Sequence, residues 1–194
     1  MDSASESERQ KYEQMWDMPE YRQNFDGVKQ AEEFVGLTKA PKGSSFIDFG
    51  CGPGYASSWL IEHGYKVLGI DIASNALKAP TIPFLCCSMW EMPVELRSDY
   101  GFCTDVMEHI PPERVDDVLA LIAKSVAKET YLDISFRVDG FGDRIGKRLH
   151  LTVQSPEWWM ERLKKHWRNV QLLHENKEDR SGAFMVSKPR RKLF

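Results

Sequence analysis

Three glycines at alternate positions, Gly50, Gly52 and Gly54, follow an acid in the stretch FIDFGCGPGYAS (46–57). Glycine takes positive φ without a steric penalty and lets the backbone come close to a ligand. The spacing differs from the G-x-G-x-x-G of a dinucleotide fold, whose last glycine packs a helix beneath a pyrophosphate. Asp48 stands two residues ahead of Gly50, and no Lys or Arg lies in the loop to meet a phosphate. An acid there suits a cationic group. A second acid, Asp71, ends the apolar run KVLGID, where a carboxylate can accept both hydroxyls of a ribose. The pattern therefore predicts a pocket for an adenosine that carries an amino-acid tail in place of phosphates.

Those residues need a scaffold, and the periodicity supplies one. Short apolar runs bounded by turn residues occur at Phe46–Phe49, Lys66–Ile70, Pro83–Cys87, Tyr100–Thr104 and Thr130–Ser135, each of a length suited to a buried strand. Helical patterns lie between them. In PPERVDDVLALIAKSVAK, residues Val115, Val118, Leu119, Ile122 and Val126 share one face, with Pro111 and Pro112 suited to the first turn. A later helix opens at SPEWWMERLKKHW with Ser155 as N-cap and Pro156 at its first position, and Trp159, Leu163 and Trp167 form a stripe. Strand and helix in alternation predict a parallel α/β sheet covered on both faces. Two closing strands, near Val170–His174 and Ala183–Ser187, are joined by the polar ENKEDRSG and read as a hairpin. In a doubly wound sheet the ligand crevice lies beyond the carboxyl ends of the strands, which is where the glycines fall.

With these motifs in place the chain resembles the class I S-adenosylmethionine-dependent methyltransferases over about residues 45 to 188. FIDFGCGPG is similar to the family's first motif, VLGIDIASNAL to its second, FLCCSMWEMP to its third and FCTDVMEHIPPERVDDVL to its fourth; HLTVQSPEWWMERLKKHW resembles its last helix. The resemblance implies a seven-stranded, mostly parallel, doubly wound sheet of order 3-2-1-4-5-7-6 whose last strand is antiparallel. Helices cover both faces. It implies one methyltransferase domain over 1–194: a helical N-terminal cap (1–44), a cofactor-binding core (45–188) and a basic tail (189–194). The cofactor implied is S-adenosyl-L-methionine, with S-adenosyl-L-homocysteine as product. Gly50, Cys51, Gly52 and Gly54 would take the methionine part, Asp71 and Ile72 the ribose side, and Asp48 the loop and the amino group. Cys87, Ser88 and Met89 would border the adenine, with Ser88 where the family often has an acid. Asp105, Val106 and Met107 would line the pocket near the sulfonium. The N-terminal stretch YEQMWDMPEYRQNFDG resembles leading helices that fold over the cofactor. Trp16 and Tyr12 either belong to that cover or pack the helix on the sheet, and Arg22 is a partner for the cofactor carboxylate.

Methyl transfer is an in-line displacement at a carbon already activated by the sulfonium, so alignment and exclusion of water carry most of the catalysis. A base is needed when the nucleophile arrives protonated. His109, just after the fourth strand, is either that base or a histidine bonded to backbone at a helix start. His150 closes the loop RVDGFGDRIGKRLH and is either an acceptor contact or a structural residue. His63, before Gly64, suits a helix C-terminus, and His166 and His174 read as surface or packing residues.

Composition narrows the acceptor and the setting. The 194 residues are 42% hydrophobic and 28% charged, which suits one globular domain. A net charge of -3 argues against a broad electrostatic coat for nucleic acid. The place after the fourth strand reads DVMEHIPP instead of the Asn/Asp-Pro-Pro-aromatic motif of enzymes that methylate amino groups of DNA bases or glutamine. Cys103 is followed by Thr104, not preceded by proline as a cytosine C5 nucleophile would be. A small-molecule acceptor is expected ahead of RNA or protein, and ahead of a binding-only regulator. The start MDSASESERQ has neither a basic nor an apolar signal segment and no long apolar run occurs, so a soluble, cytoplasmic protein with no membrane partner is expected. Cys51, Cys86, Cys87 and Cys103 lack CxxC spacing and read as reduced thiols. No metal site is expected, residues 1 to 8 and the tail KPRRKLF are expected to be disordered, and the oligomeric state is left open.

Overall fold

The computed structural model describes residues 2–23, 27–78 and 81–189. Numbered along the chain, its strands form one seven-stranded sheet of order 3-2-1-4-5-7-6. Two compact units divide the chain, Met1–Met92 and Pro93–Phe194.

In the first unit, β1 (Ser45–Phe49) pairs in parallel with β2 (Lys66–Asp71), and β2 pairs in parallel with β3 (Phe84–Cys86). Two helices, α1 (Ser3–Trp16) and α2 (Val28–Thr38), precede β1, and α3 (Tyr55–Glu62) crosses from β1 to β2. As expected, His63 caps the end of α3 and Gly64 turns the chain out at φ +86°. The core is aromatic: Phe46 meets Phe34 and Tyr65 edge-on, with centroids 6.0 and 5.0 Å apart. Such pairs stabilise by about 0.5–1.5 kcal/mol beyond their buried area.

The expected disorder of residues 1 to 8 is corrected over residues 2 to 8, because helix begins at Ser3, while Met1 lies outside the described residues. Asp2 caps it, its side chain accepting from the Ser5 amide at 2.8 Å, a device that stabilises a helix by about 1 kcal/mol. Arg9 bridges Glu6 and Glu13 one turn to either side. Tertiary contacts add to this: the Asp2 amide donates to Glu91 at 2.7 Å, and the hydroxyls of Ser5 and Ser88 are 2.9 Å apart, both buried.

In the second unit, β4 (Ser98–Thr104) is parallel to β5 (Val126–Ser135). β7 (Ser181–Pro189) runs antiparallel to both β5 and β6 (Trp167–Asn176), which makes the closing hairpin. Asn176 accepts from the amides of Glu178 and Asp179 to shape its turn. Helix α4 (Val115–Ser125) joins β4 to β5, and α5 (Pro156–His166) opens with Ser155 accepting from the Trp158 amide. Trp159, Leu163 and Trp167 are buried, as their spacing predicts. Two boundaries differ from expectation. Pro112–Arg114 form a separate 3-10 turn before α4. Val126 opens β5 opposite Ser98 instead of extending the helical face, since its β-branched side chain suits a pleated position as well as a helical one. Lys188 and Pro189 end β7, while the rest of the basic tail lies outside the described residues. No helix among the described residues is long and apolar enough to cross a membrane.

Candidate active site

β1 ends in the glycine loop, and β2 supplies the anchor that shapes it. The amides of Gly50 and Cys51 both donate to the Ile70 carbonyl, at 2.7 and 2.9 Å, and that of Gly54 closes onto Cys51. Gly50, Gly52 and Gly54 have φ of 74°, 50° and 82°, so the alternate spacing marks three left-handed residues in one bend. Asp71 holds the middle of it. One carboxylate oxygen accepts from the Gly52 amide at 2.9 Å and the other from the Ala73 amide at 2.9 Å. Burial raises the Asp71 carboxyl to about 6 despite those donors. Asp48 faces α3, accepting from the Ser57 hydroxyl at 2.6 Å. Its burial, with Asp71 adding to it, raises the carboxyl to about 7. Cys51 is buried beside them and its thiol is pushed up, first by burial and then by the two acids.

The end of α1 reaches the same loop. A Cβ on Gly52 would stand 3.2 Å from two ring atoms of Trp16. Trp16 is buried and meets Tyr21 edge-on at 4.9 Å. Arg22 lies 5.8 Å from the Trp16 ring and donates to the carbonyls of Asn75 and Ala76. Asn75 donates to the Glu13 carbonyl and to Asp17, and Ser74 donates to Glu13. Thus Trp16, the glycines, Cys51, Asp48 and Asp71 come together, with Ile72 half-buried next along the chain. Cys87 donates its amide to the Asp71 carbonyl, which carries β3 toward the same end, and Met89 is buried in the following turn. Ser88 is buried between Ser5 and Glu91, donating to the Glu91 carboxylate at 2.8 Å. Glu91 also accepts the Asp2 amide, so this acid three residues after Ser88 ties the start of α1 to the turn after β3.

A second cluster lies in the second unit. Asp105, beyond β4, has a left-handed φ of 53°, a conformation uncommon for residues other than glycine and most tolerated by Asn and Asp. Asp105 exposes part of its surface, yet packing about its carboxyl and the nearby Asp133 raise it to about 6, with Arg137 opposing. Val106 is half-buried and Met107 fully buried. Glu108 follows, with no exposed surface. Its carbonyl accepts the amides of Leu151 and Thr152, both at 2.8 Å, and the Thr152 hydroxyl donates to the Ile110 carbonyl at 2.7 Å. These bonds zip the segment after β4 to the end of the loop after β5. They set the rings of His109 and His150 edge to face, 4.7 Å apart. His109 Nδ1 lies 3.2 Å from the Leu149 carbonyl. His150 Nδ1 lies 2.6 Å from the carbonyl of Arg137, at the far end of its own loop. Burial lowers the basicity of His150.

Glu108 escapes the sequence reading, although an acid directly beside His109 and three residues after Asp105 was its visible signal. One carboxylate oxygen meets the Ser135 amide at 3.3 Å and the other has no hydrogen-bond partner. Burial, with Asp105 next, raises the Glu108 carboxyl well above the usual carboxylate range. The protonated form is thus the one the fold favours. Glu108 contributes stability at pH below its unfolded value, and the contribution is lost as pH rises toward the folded one. Glu108→Gln, which cannot ionise, should raise the melting temperature at pH 8 in chelator-containing buffer and change little at pH 4. The expected gain is at least about 1 kcal/mol, the cost of a buried group without its partner. Thermal scans showing the same shift at both pH values would contradict this account.

Residues 46–129 match a family described as a methyltransferase domain. In sequence the chain is 45% identical over 52 residues to the ribosomal RNA small subunit methyltransferase C of Alcanivorax borkumensis, covering 27% of this chain and 15% of that protein. Among solved structures, a SAM-dependent methyltransferase from Archaeoglobus fulgidus is similar with a TM-score of 0.67 at 16% identity, over 83% of this chain and 92% of that one. The phosphoethanolamine N-methyltransferase 2 of Haemonchus contortus, in complex with phosphomonomethylethanolamine and S-adenosylhomocysteine, gives a TM-score of 0.65 at 16% identity. That similarity covers 84% of this chain and 53% of the Haemonchus one, so the chain spans about half of that protein's length. The reversed strand between β5 and β6 and the methyltransferase domain over 46–129 carry one conclusion: the chain has the fold of the class I S-adenosylmethionine-dependent methyltransferases.

Proposed function

We propose that the protein transfers a methyl group from S-adenosyl-L-methionine to a nucleophilic O, N, C or S of a small-molecule acceptor, releasing S-adenosyl-L-homocysteine. The observation that carries the cofactor reading is the glycine loop held by Asp71, a close-approach surface flanked by carboxylates and with no Lys or Arg in the loop itself. Asp71 takes the ribose hydroxyls with the lone pairs that its two backbone donors leave over. Gly50, Cys51, Gly52 and Gly54 take the methionine part beneath Trp16, Arg22 serves the carboxylate, and Cys87 to Met89 border the adenine. The acceptor's electron pair forms the new bond to the methyl carbon as the carbon–sulfur pair passes to sulfur. His109 and His150 serve the acceptor side, where a hydroxyl, amine or thiol must lose its proton. The Haemonchus protein, crystallised with a small phosphorylated amine, supports a small-molecule acceptor. The Alcanivorax relative is named for ribosomal RNA, which makes RNA the second reading. The net charge of -3 favours the first.

Calorimetry is the direct test. S-adenosylmethionine and S-adenosylhomocysteine should bind at micromolar levels and NAD should not. Asp71→Ala should weaken the adenosyl compounds about ten-fold or more, as expected for lost hydrogen bonds to a charged group. Binding of NAD alone, or an Asp71→Ala protein with unchanged affinity, would remove the reading. Label from the methyl-labelled cofactor should then enter the small-molecule fraction of an extract, whereas label in RNA would select the second acceptor class.

A further inference from the structure

We propose that Glu108, His109 and His150 form a binding site for a divalent first-row transition-metal ion. Each residue offers one ligand atom, and the three atoms lie within 4.8 Å of one another. An ion held at about 2.0–2.2 Å per bond would draw that set closer together.

Three independent features prepare the set. An imidazole Nδ1 beside a backbone carbonyl can bond to it only as a donor. His109 and His150 both have such a carbonyl, from Leu149 and Arg137. The lone pair of each neutral ring is therefore on Nε2. Donation of the other ring nitrogen to a carbonyl is the arrangement that orients metal-binding histidines. The second feature is Glu108: fully buried, with one oxygen unpartnered, it is a side chain that an apolar core would not retain without a use. An ion supplies the missing partner. Third, Asp105 and Asp133 stand close enough to add negative potential around Glu108. The bonds from Leu151 and Thr152 to the Glu108 carbonyl hold the two ligand-bearing segments together before any ion arrives.

Two imidazole nitrogens and one carboxylate suit Zn²⁺, Mn²⁺, Fe²⁺ or Co²⁺, whereas Mg²⁺ prefers an all-oxygen shell with water. Three protein ligands leave positions open on such an ion. On the methyltransferase reading, an acceptor oxygen or nitrogen binding there would lose its proton more readily to solvent, and His109 would act as a ligand in place of a base. The binding of the ion does not depend on that reading, although its use does.

The test is metal titration of the full-length protein after chelator treatment, read by competition with a chromogenic chelator for Zn²⁺ and by the visible absorption of Co²⁺. One equivalent of each should bind, with Mg²⁺ failing to compete. Glu108→Gln keeps the shape of the side chain and should weaken Zn²⁺ at least about 100-fold, the upper range for losing even a group that only supports a ligand. His150→Gln should do the same, and melting scans report whether either variant is folded. S-adenosylhomocysteine calorimetry on the same proteins gives a separate readout: affinity unchanged by Glu108→Gln, with metal lost, supports the site. Failure to bind adenosyl compounds would remove the methyltransferase reading while leaving the titration interpretable. No stoichiometric binding of Zn²⁺ or Co²⁺ to the wild type, binding that persists in folded Glu108→Gln, or a site filled by Mg²⁺ alone would each overturn the proposal.

Discussion

Gly52→Val abolishes binding of S-adenosylmethionine in calorimetry and lowers the melting temperature by roughly 5–10 °C, a few kcal/mol for a chain of this size. Two separate costs lead to that expectation. Position 52 sits at φ +50°, where a β-branched residue is strained by about 1–3 kcal/mol. A Cβ there also meets the Trp16 ring at 3.2 Å, and Trp16 is buried and cannot swing away freely. Relief comes only by moving the loop, and moving the loop breaks the bond from the Gly52 amide to Asp71. Cofactor binding and stability should therefore fall together. Gly52→Ala keeps the backbone strain but carries less bulk, and should retain weak binding. A Gly52→Val protein that binds the adenosyl cofactor normally would show that the loop is not its floor.

The largest expected loss of turnover with cofactor binding intact is at His109. His109→Gln should lower kcat by about 10² or more with cofactor affinity nearly constant, because proton transfer and its equivalents act only in the transition state. The wild type should gain activity as pH rises through the range where an imidazole loses its proton, and the variant should lack that limb. Added Zn²⁺ or Co²⁺ separates the two ways His109 can serve: activity that depends on the ion in the wild type points to a ligand, and activity indifferent to ions and chelators points to a base. A carboxylate or thiolate acceptor, already deprotonated, would leave turnover largely unaffected. Parallel loss of cofactor binding and melting temperature would instead make His109 a structural residue, held by the Leu149 carbonyl.

Local pattern carried the scaffold. A strand's alternation and a helix's stripe are properties of neighbouring residues, so β1, β2, β4 and β5 lie where apolar runs stand between turn residues. The three positive φ values of the loop fall on its three glycines, which take them without steric cost. Ser155 and Pro156 likewise announced α5, because a cap acts on amides within its own first turn. The sheet order came instead through resemblance of whole motifs, since strand partners far apart in sequence leave no local signal.

Local pattern failed where the deciding contact was distant. Residues 3 to 8 look too polar to order, yet Ser5 reaches Ser88, 83 positions away. Nothing in VAK distinguishes a helix end from a strand start, and the pairing of Val126 with Ser98 decided it. Trp16 could have packed on any sheet face, and only the folded chain sets its ring against Gly52. Most of all, Glu108 beside His109 was legible as two letters, whereas His150 joins them through the bonds from Leu151 and Thr152 to the Glu108 carbonyl. Sequence by itself determined the strands, the glycine bend and the acids that flank it, because backbone conformation and hydrophobic period are local. The tertiary structure alone decided which polar side chains are buried together, because burial and long-range hydrogen bonds exist only once the segments have met.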